Sequence, residues 1–190
     1  MTLELNCVLL RGEELTLSML AREGQLTCLT GGTAVRRTRW LHAMMGFETP
    51  VTGYISLDGE PLSAEAIGGL RQFMAFVPSG LSAVGSIVVY EPPTAADMLS
   101  LRSNRHLGVS ATDIEEECRR TGATGDKARL LAAAVLRRKP VLLVDSPSGA
   151  SANYLHSLAA QGGATVIAAT DDALVIGRAD IIVELPTPNP

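Results

Sequence analysis

Apolar positions fall into two kinds of run along this chain. The first thirty residues hold three short β-rich segments, Leu3–Leu10, Leu15–Leu20 and Gln25–Thr30. Polar turns at Arg11-Gly12-Glu13-Glu14 and at Glu23-Gly24 separate them. Gly53–Leu57 alternates and runs into Asp58-Gly59, a strong hairpin signal. Phe73–Val77 is apolar and ends at Pro78-Ser79-Gly80. Val141–Val144 and Ala164–Ala169 are unbroken apolar runs, the pattern of strands buried on both faces. Ile181–Leu185 is the last strand.

Helical segments lie between these runs. One is predicted from about Arg37 to Met45, stopped by Gly46, and a weaker one over Ala64–Arg71. From Pro92 to Gly125 the pattern changes to short helices with polar faces, Thr94–Leu101 and Thr112–Arg120, each opening on a capping residue. Asp126–Arg138 is rich in Ala and Leu and ends in basic residues, and Asn153–Gln161 follows the next strand. Strand–helix–strand order with buried strands predicts an α/β fold. Its mostly parallel sheet is flanked by helices, with an N-terminal antiparallel β portion. A single domain is expected over residues 1–185, with 1–78 and 126–185 as core, 79–125 as a small helical subdomain and 186–190 as a tail. Ligands in such folds sit at the carboxyl ends of strands, where Thr30-Gly31, Ser79, Asp145 and Asp171 fall.

Composition narrows the function classes. A hydrophobic share of 46% with 19% charged residues suits a globular domain, and a net charge of −4 leaves no basic footprint for nucleic acid. No apolar run is long enough to span a bilayer and no signal sequence opens the chain, so a cytoplasmic protein with no transmembrane segment is expected. Cys7, Cys28 and Cys118 lack metal-ligand spacing. Lys127 and Lys139 are the only lysines.

The stretch Leu26–Leu41 carries the candidate chemistry. A strand enters a glycine turn and a helix leaves it, the setting of a phosphate-binding loop. Of the pattern Gly-x-x-x-x-Gly-Lys-[Ser/Thr], Gly31 and Thr38 fit, while Arg36 and Arg37 stand at the second glycine and the lysine. Either arginine could bind an anion through its guanidinium, or both could be solvated charges. A helix N-terminus is a poor place for cations, so helix stability does not account for them.

In order and spacing, these motifs resemble those of the ABC transporter ATP-binding cassettes over Cys7 to Leu185. Gly53–Leu62 looks like that family's hairpin after the phosphate loop, and Met74–Pro78 like the strand leading to its Q-loop glutamine. Leu136–Asp145 is similar to the segment ending in Walker B, and Thr165–Thr170 with Ala179–Val183 to its closing unit. The resemblance assigns Gly31, Gly32, Arg36, Arg37 and Thr38 to a degenerate Walker A loop. It makes Thr38 and Asp145 ligands of Mg²⁺ if nucleotide binds. Ser146 stands at the family's catalytic glutamate, Asp171 at its switch histidine and Ser79 at the Q-loop glutamine. Thr121–Gly125 replaces the signature sequence, no aromatic residue near Cys7–Leu10 could stack on adenine, and the helical subdomain is short for the family.

With these changes the resemblance implies a pseudo-ATPase that binds ATP and Mg²⁺ weakly or not at all. It further implies a subunit peripheral to the inner face of the cell membrane, docked on a permease through about Ser79–Arg105. Such a subunit would pair with itself or with another ABC ATPase. A divergent but working ATPase, and a repurposed binding protein outside transport, are the alternatives.

Overall fold

A computed structural model describes residues 1–80 and 105–187. Strands β1 (Leu3–Leu9), β2 (Leu17–Ala21), β4 (Thr52–Leu57) and β5 (Glu60–Pro61) form an antiparallel sheet in the order β2-β1-β4-β5. Strands β3 (Leu26–Thr30), β6 (Met74–Val77), β7 (Val141–Asp145), β8 (Thr165–Ala169) and β9 (Ile181–Glu184) form a parallel sheet in the order β6-β7-β8-β3-β9. The helices are α1 (Ala34–Met44), α2 (Ile67–Leu70), α3 (Ala111–Arg120), α4 (Gly125–Leu136), α5 (Ala152–Ala160) and α6 (Ala173–Ile176). The α/β class, the parallel sheet and the antiparallel N-terminal portion are as the sequence predicts.

Alternation within the buried strands divides the core. Leu29, Leu143 and Ile167 point to one side, where Trp40, Leu41 and Met44 of α1 and the antiparallel sheet meet them. Leu26, Leu142, Val144 and Val166 point to the other, against Leu131 of α4 and Leu155 of α5. Strands β7 and β8 are buried at every position and covered on both faces, which accounts for their unbroken apolar runs.

The antiparallel sheet is bent at one place. The register of β1 shifts against both β2 and β4 in the stretch between Leu5 and Leu9. Cys7, at φ 46°, is the residue that bulges. Gly53 of β4 packs against this bulge, and a Cβ there would come within 2.3 Å of the carbonyl oxygens of Asn6 and Cys7.

Helix boundaries differ from expectation at two sites for the same reason, an unread cap. Helix α1 starts at Ala34 rather than Arg37, because the Thr33 hydroxyl accepts the Arg36 N–H. Helix α3 starts at Ala111, with Ser110 and Asp113 forming a capping box, so Thr112 lies inside the helix. The expected helix Thr94–Leu101 and most of the Ser79–Arg105 face lie outside the described residues.

The sheet order positions the site. Strands β6, β7, β8 and β3 are consecutive neighbours, so Ser79, Asp145, Asp171 and Gly31 stand in a row at their carboxyl ends.

Candidate functional site

The loop after β3 turns through two left-handed residues, Gly31 (φ 79°) and Gly32 (φ 61°). A Cβ on Gly31 would lie 3.0 Å from Cγ of Glu184, so β9 and the loop are in close contact. Thr33 then caps α1, which places Arg36, Arg37 and Thr38 in its first turns.

Arg37 turns inward. Its side chain is 3% exposed, and Nη1 donates to the carbonyl oxygens of Gly31 (3.2 Å) and Gly32 (3.1 Å). Nη2 lies 3.1 Å from Oδ2 of Asp171. The interior of the loop is thus filled by the chain's own guanidinium. Two carbonyls and a carboxylate offset the unfavourable field that a helix N-terminus presents to a cation.

Arg36 turns the other way. Its Nε donates to both carboxylate oxygens of Glu13, at 3.1 and 2.9 Å, and Nη2 donates to Glu13 and, at 2.7 Å, to the Pro186 carbonyl. Arg39 extends the network, with Nη1 3.8 Å from Glu13 and Nε 2.8 Å from Glu48. The Arg39 hydrogen bond holds the Glu48 carboxyl below its usual range. Neither Arg36 nor Arg37 is the solvated charge of the simpler expectation. The β1–β2 turn, through Glu13, is fastened to the start of α1.

Asp145 is fully buried at the end of β7. Its Oδ2 accepts from the Thr38 hydroxyl at 2.7 Å and its Oδ1 from the Ser146 hydroxyl at 3.1 Å. Ser146 sits at φ 48° and continues the ladder by donating its N–H to Ala169 at 2.8 Å. Thr38, Asp145 and Ser146 therefore form one closed set. Asp172 is a cap, accepting from Leu174 N–H at 2.9 Å and Gly149 N–H at 2.8 Å, while Asp171 faces outward at 80% exposure. Ser79 is exposed. In Thr121–Gly125, the Thr121 hydroxyl donates to the Cys118 carbonyl at 2.7 Å and Gly122 packs against Ala150, making this a turn between α3 and α4.

Two residues of the site escape motif reading. One is Glu13; its partner is 23 positions away, and no local pattern signals the pair. The other is Lys127, whose ammonium donates to the carbonyl oxygens of Asp145 and, at 2.8 Å, of Pro78, tying the ends of β7 and β6 to α4. Burial pushes its pKa down to about 8, against an opposing pull from Asp145. A signal existed: a lysine in the first turn of a helix is out of place electrostatically. Among the described residues, no group of three or more His, Cys, Asp or Glu could hold a metal ion.

No family model matches the chain, and no curated protein matches it. Solved structures do. CbiO1 from Clostridium perfringens, described as part of the ABC transporter complex cbiONQ, is 18% identical over 96% of this chain and 83% of its own, with a TM-score of 0.70. A bacterial ABC transporter cassette solved as a dimer is 17% identical over 96% and 94%, with a TM-score of 0.72. A bacterial Atm1-family ABC exporter with ATP bound is 14% identical over 97% of this chain and 37% of that one, with a TM-score of 0.72. The fold is that of an ABC transporter ATP-binding cassette. At these identities the likeness speaks for the fold. Within that cassette fold, the row formed by Gly31, Asp171, Asp145 and Ser79 occupies the strand ends where the α/β rule places a ligand. No helix among the described residues is long and apolar enough to cross a membrane.

Proposed function

We propose that this chain is a cassette that no longer turns over ATP. In this reading it serves as a structural or regulatory partner, on the cytoplasmic side, of a membrane permease or of an intact ABC ATPase. One observation carries the proposal: the Arg37 guanidinium occupies the loop, held by Gly31, Gly32 and Asp171.

A triphosphate entering the loop would have to displace that guanidinium and would uncover the Asp171 carboxylate beside its own charge. Asp171 is solvated, so water screens most of that repulsion, and the larger cost is removing the Arg37 guanidinium from its two loop carbonyls. The residues as they stand do not fit Mg²⁺ and ATP. Both carboxylate oxygens of Asp145 accept protein hydroxyls, and Arg36 lies over Gly32, 3.3 Å from where a Cβ would be. Ser146, with no base beside it other than Asp145, is a weak candidate for polarising water.

Calorimetry with ATP and ADP, each with and without Mg²⁺, tests the reading. No saturable heat up to millimolar nucleotide from folded protein is the expected result. Saturable micromolar binding would overturn it in favour of a divergent working ATPase, the reading that the 2.7 Å approach of Thr38 to Asp145 favours.

A further inference from the structure

Arg36, Arg37 and Arg39 all lie in the first half of α1, and two of them are satisfied in the same way. A guanidinium meets an oxyanion best with two parallel N–H groups along one edge. Arg36 gives Nε and Nη2 to Glu13, with Nε 3.1 and 2.9 Å from its two oxygens. Arg39 gives the same two nitrogens to Glu48, with Nε at 2.8 Å.

Arg37 differs. Its Nη1 is taken by the Gly31 and Gly32 carbonyl oxygens, but its Nε–Nη2 edge meets a single oxygen, Oδ2 of Asp171, 3.1 Å from Nη2. Nε is enclosed and has no partner among the described residues. A buried donor without an acceptor is costly, so this edge is poised for a second oxygen. Arg36 has no such edge to offer, because Glu13 and the Pro186 carbonyl already take it.

We propose that Asp171 is an autoinhibitory carboxylate, standing on the oxyanion-binding edge of Arg37 and keeping an external phosphate group off it. The proposal rests on the reading that the wild-type loop takes no nucleotide, and adds how that state is held. Because Nη1 stays on Gly31 and Gly32, a phosphate group would meet Nε and Nη2 at the rim without emptying the loop. The N-terminus of α1 favours the same charge. The contact is releasable: at 80% exposure the Asp171 carboxylate is open to a partner's cation, whereas Glu13, at 7%, is not.

Asp171→Ala removes the carboxylate, and circular dichroism checks that the fold is kept. Inorganic pyrophosphate is the probe, titrated calorimetrically without Mg²⁺ into wild type and variant. Affinity should rise about tenfold or more in the variant. The Arg37 Nε–H resonance, assigned through bonds, should shift as pyrophosphate is added to Asp171→Ala. Adding Arg37→Lys keeps the charge but not the two-pronged edge and should cancel the gain; should that double variant not fold, the Arg37 resonance decides. ATP titrated alongside separates two sources of a phosphate group. Equal affinities assign the edge to phosphate alone, and tighter ATP assigns it to a nucleotide. A gain below about threefold, a gain kept with Arg37→Lys, or an unmoved Arg37 resonance overturns the proposal and leaves the closed-loop reading intact. Saturable micromolar ATP binding by wild type overturns both.

Discussion

The guanidinium of Arg37 and the carboxylate of Asp171 meet at 3.1 Å, the first side chain 3% exposed and the second 80%. The contact joins the N-terminus of α1 to the loop after β8, across neighbouring strands β3 and β8. Its two ends have unequal value. Asp171 is solvated and its charge is screened, whereas Arg37 also holds two loop carbonyls. Asp171→Asn should cost no more than about 1 kcal/mol. Arg37→Ala should cost about 2–3 kcal/mol through lost hydrogen bonds and packing. Urea denaturation of both variants measures the difference; equal costs would mean that the carbonyl contacts contribute nothing.

The same arginine makes the loop restorable in principle. The combined change Ala34→Gly, Arg36→Gly and Arg37→Lys rebuilds the phosphate-loop pattern, takes the Arg37 guanidinium out of the loop interior and removes the Arg36 side chain that lies over Gly32. Two glycines in the first turns of α1 should destabilise it by about 1 kcal/mol each. The variant should nevertheless bind ATP with saturable heat in calorimetry where the parent shows none. A folded triple variant that stays silent would place the obstruction elsewhere, with Asp171 and Glu13 the first to examine.

Much of this was legible in the sequence because it is local. The apolar runs Val141–Val144 and Ala164–Ala169 could be little else than doubly covered strands, and Asp58-Gly59 announced its hairpin. The strand ends carrying Gly31, Asp145 and Asp171 followed from those runs. Partnership was not legible. Arg36 belongs to Glu13 and Lys127 to the Asp145 carbonyl, pairings 23 and 18 positions apart that only sheet order creates. Helix α1 starts at Ala34 rather than Arg37 because the Thr33 cap, which the apolar pattern does not signal, outweighs the two arginines near its start.

Lys127 gives the fold a pH dependence of definite sign. Burial lowers its pKa from 10.5 to about 8 in the folded chain. Between those values the unfolded chain holds more protons, so stability gains from this group as pH rises through the window and loses as pH falls through the folded pKa. Cys28 acts in the opposite sense, its thiol pushed by burial from 9.0 up to about 11, so that its contribution is lost as pH rises through that value. Comparing wild type with Lys127→Met isolates the lysine. The stability difference should shift in favour of wild type from pH 8 to pH 10.5. A difference independent of pH would mean that Lys127 keeps an ordinary affinity for its proton.

A second buried contact holds the helical portion to the sheet-bearing core. The Tyr154 hydroxyl of α5 donates to Oε1 of Glu117 in α3, and Oε2 of Glu117 lies 3.1 Å from the exposed Arg120 guanidinium. Burial, reinforced by the adjacent carboxylate, pushes the Tyr154 phenol well above its usual range. Tyr154→Phe keeps the ring but leaves Glu117 buried with one donor fewer, which should cost about 1–3 kcal/mol. Adding Glu117→Leu removes the group left unsatisfied, and because Arg120 remains in water the double variant should recover most of that loss. Denaturation of the single and double variants decides the matter. If Tyr154→Phe is neutral, the hydroxyl does not fasten α3, and apolar packing of Val109 and Ile114 on Ala133 is sufficient to hold it.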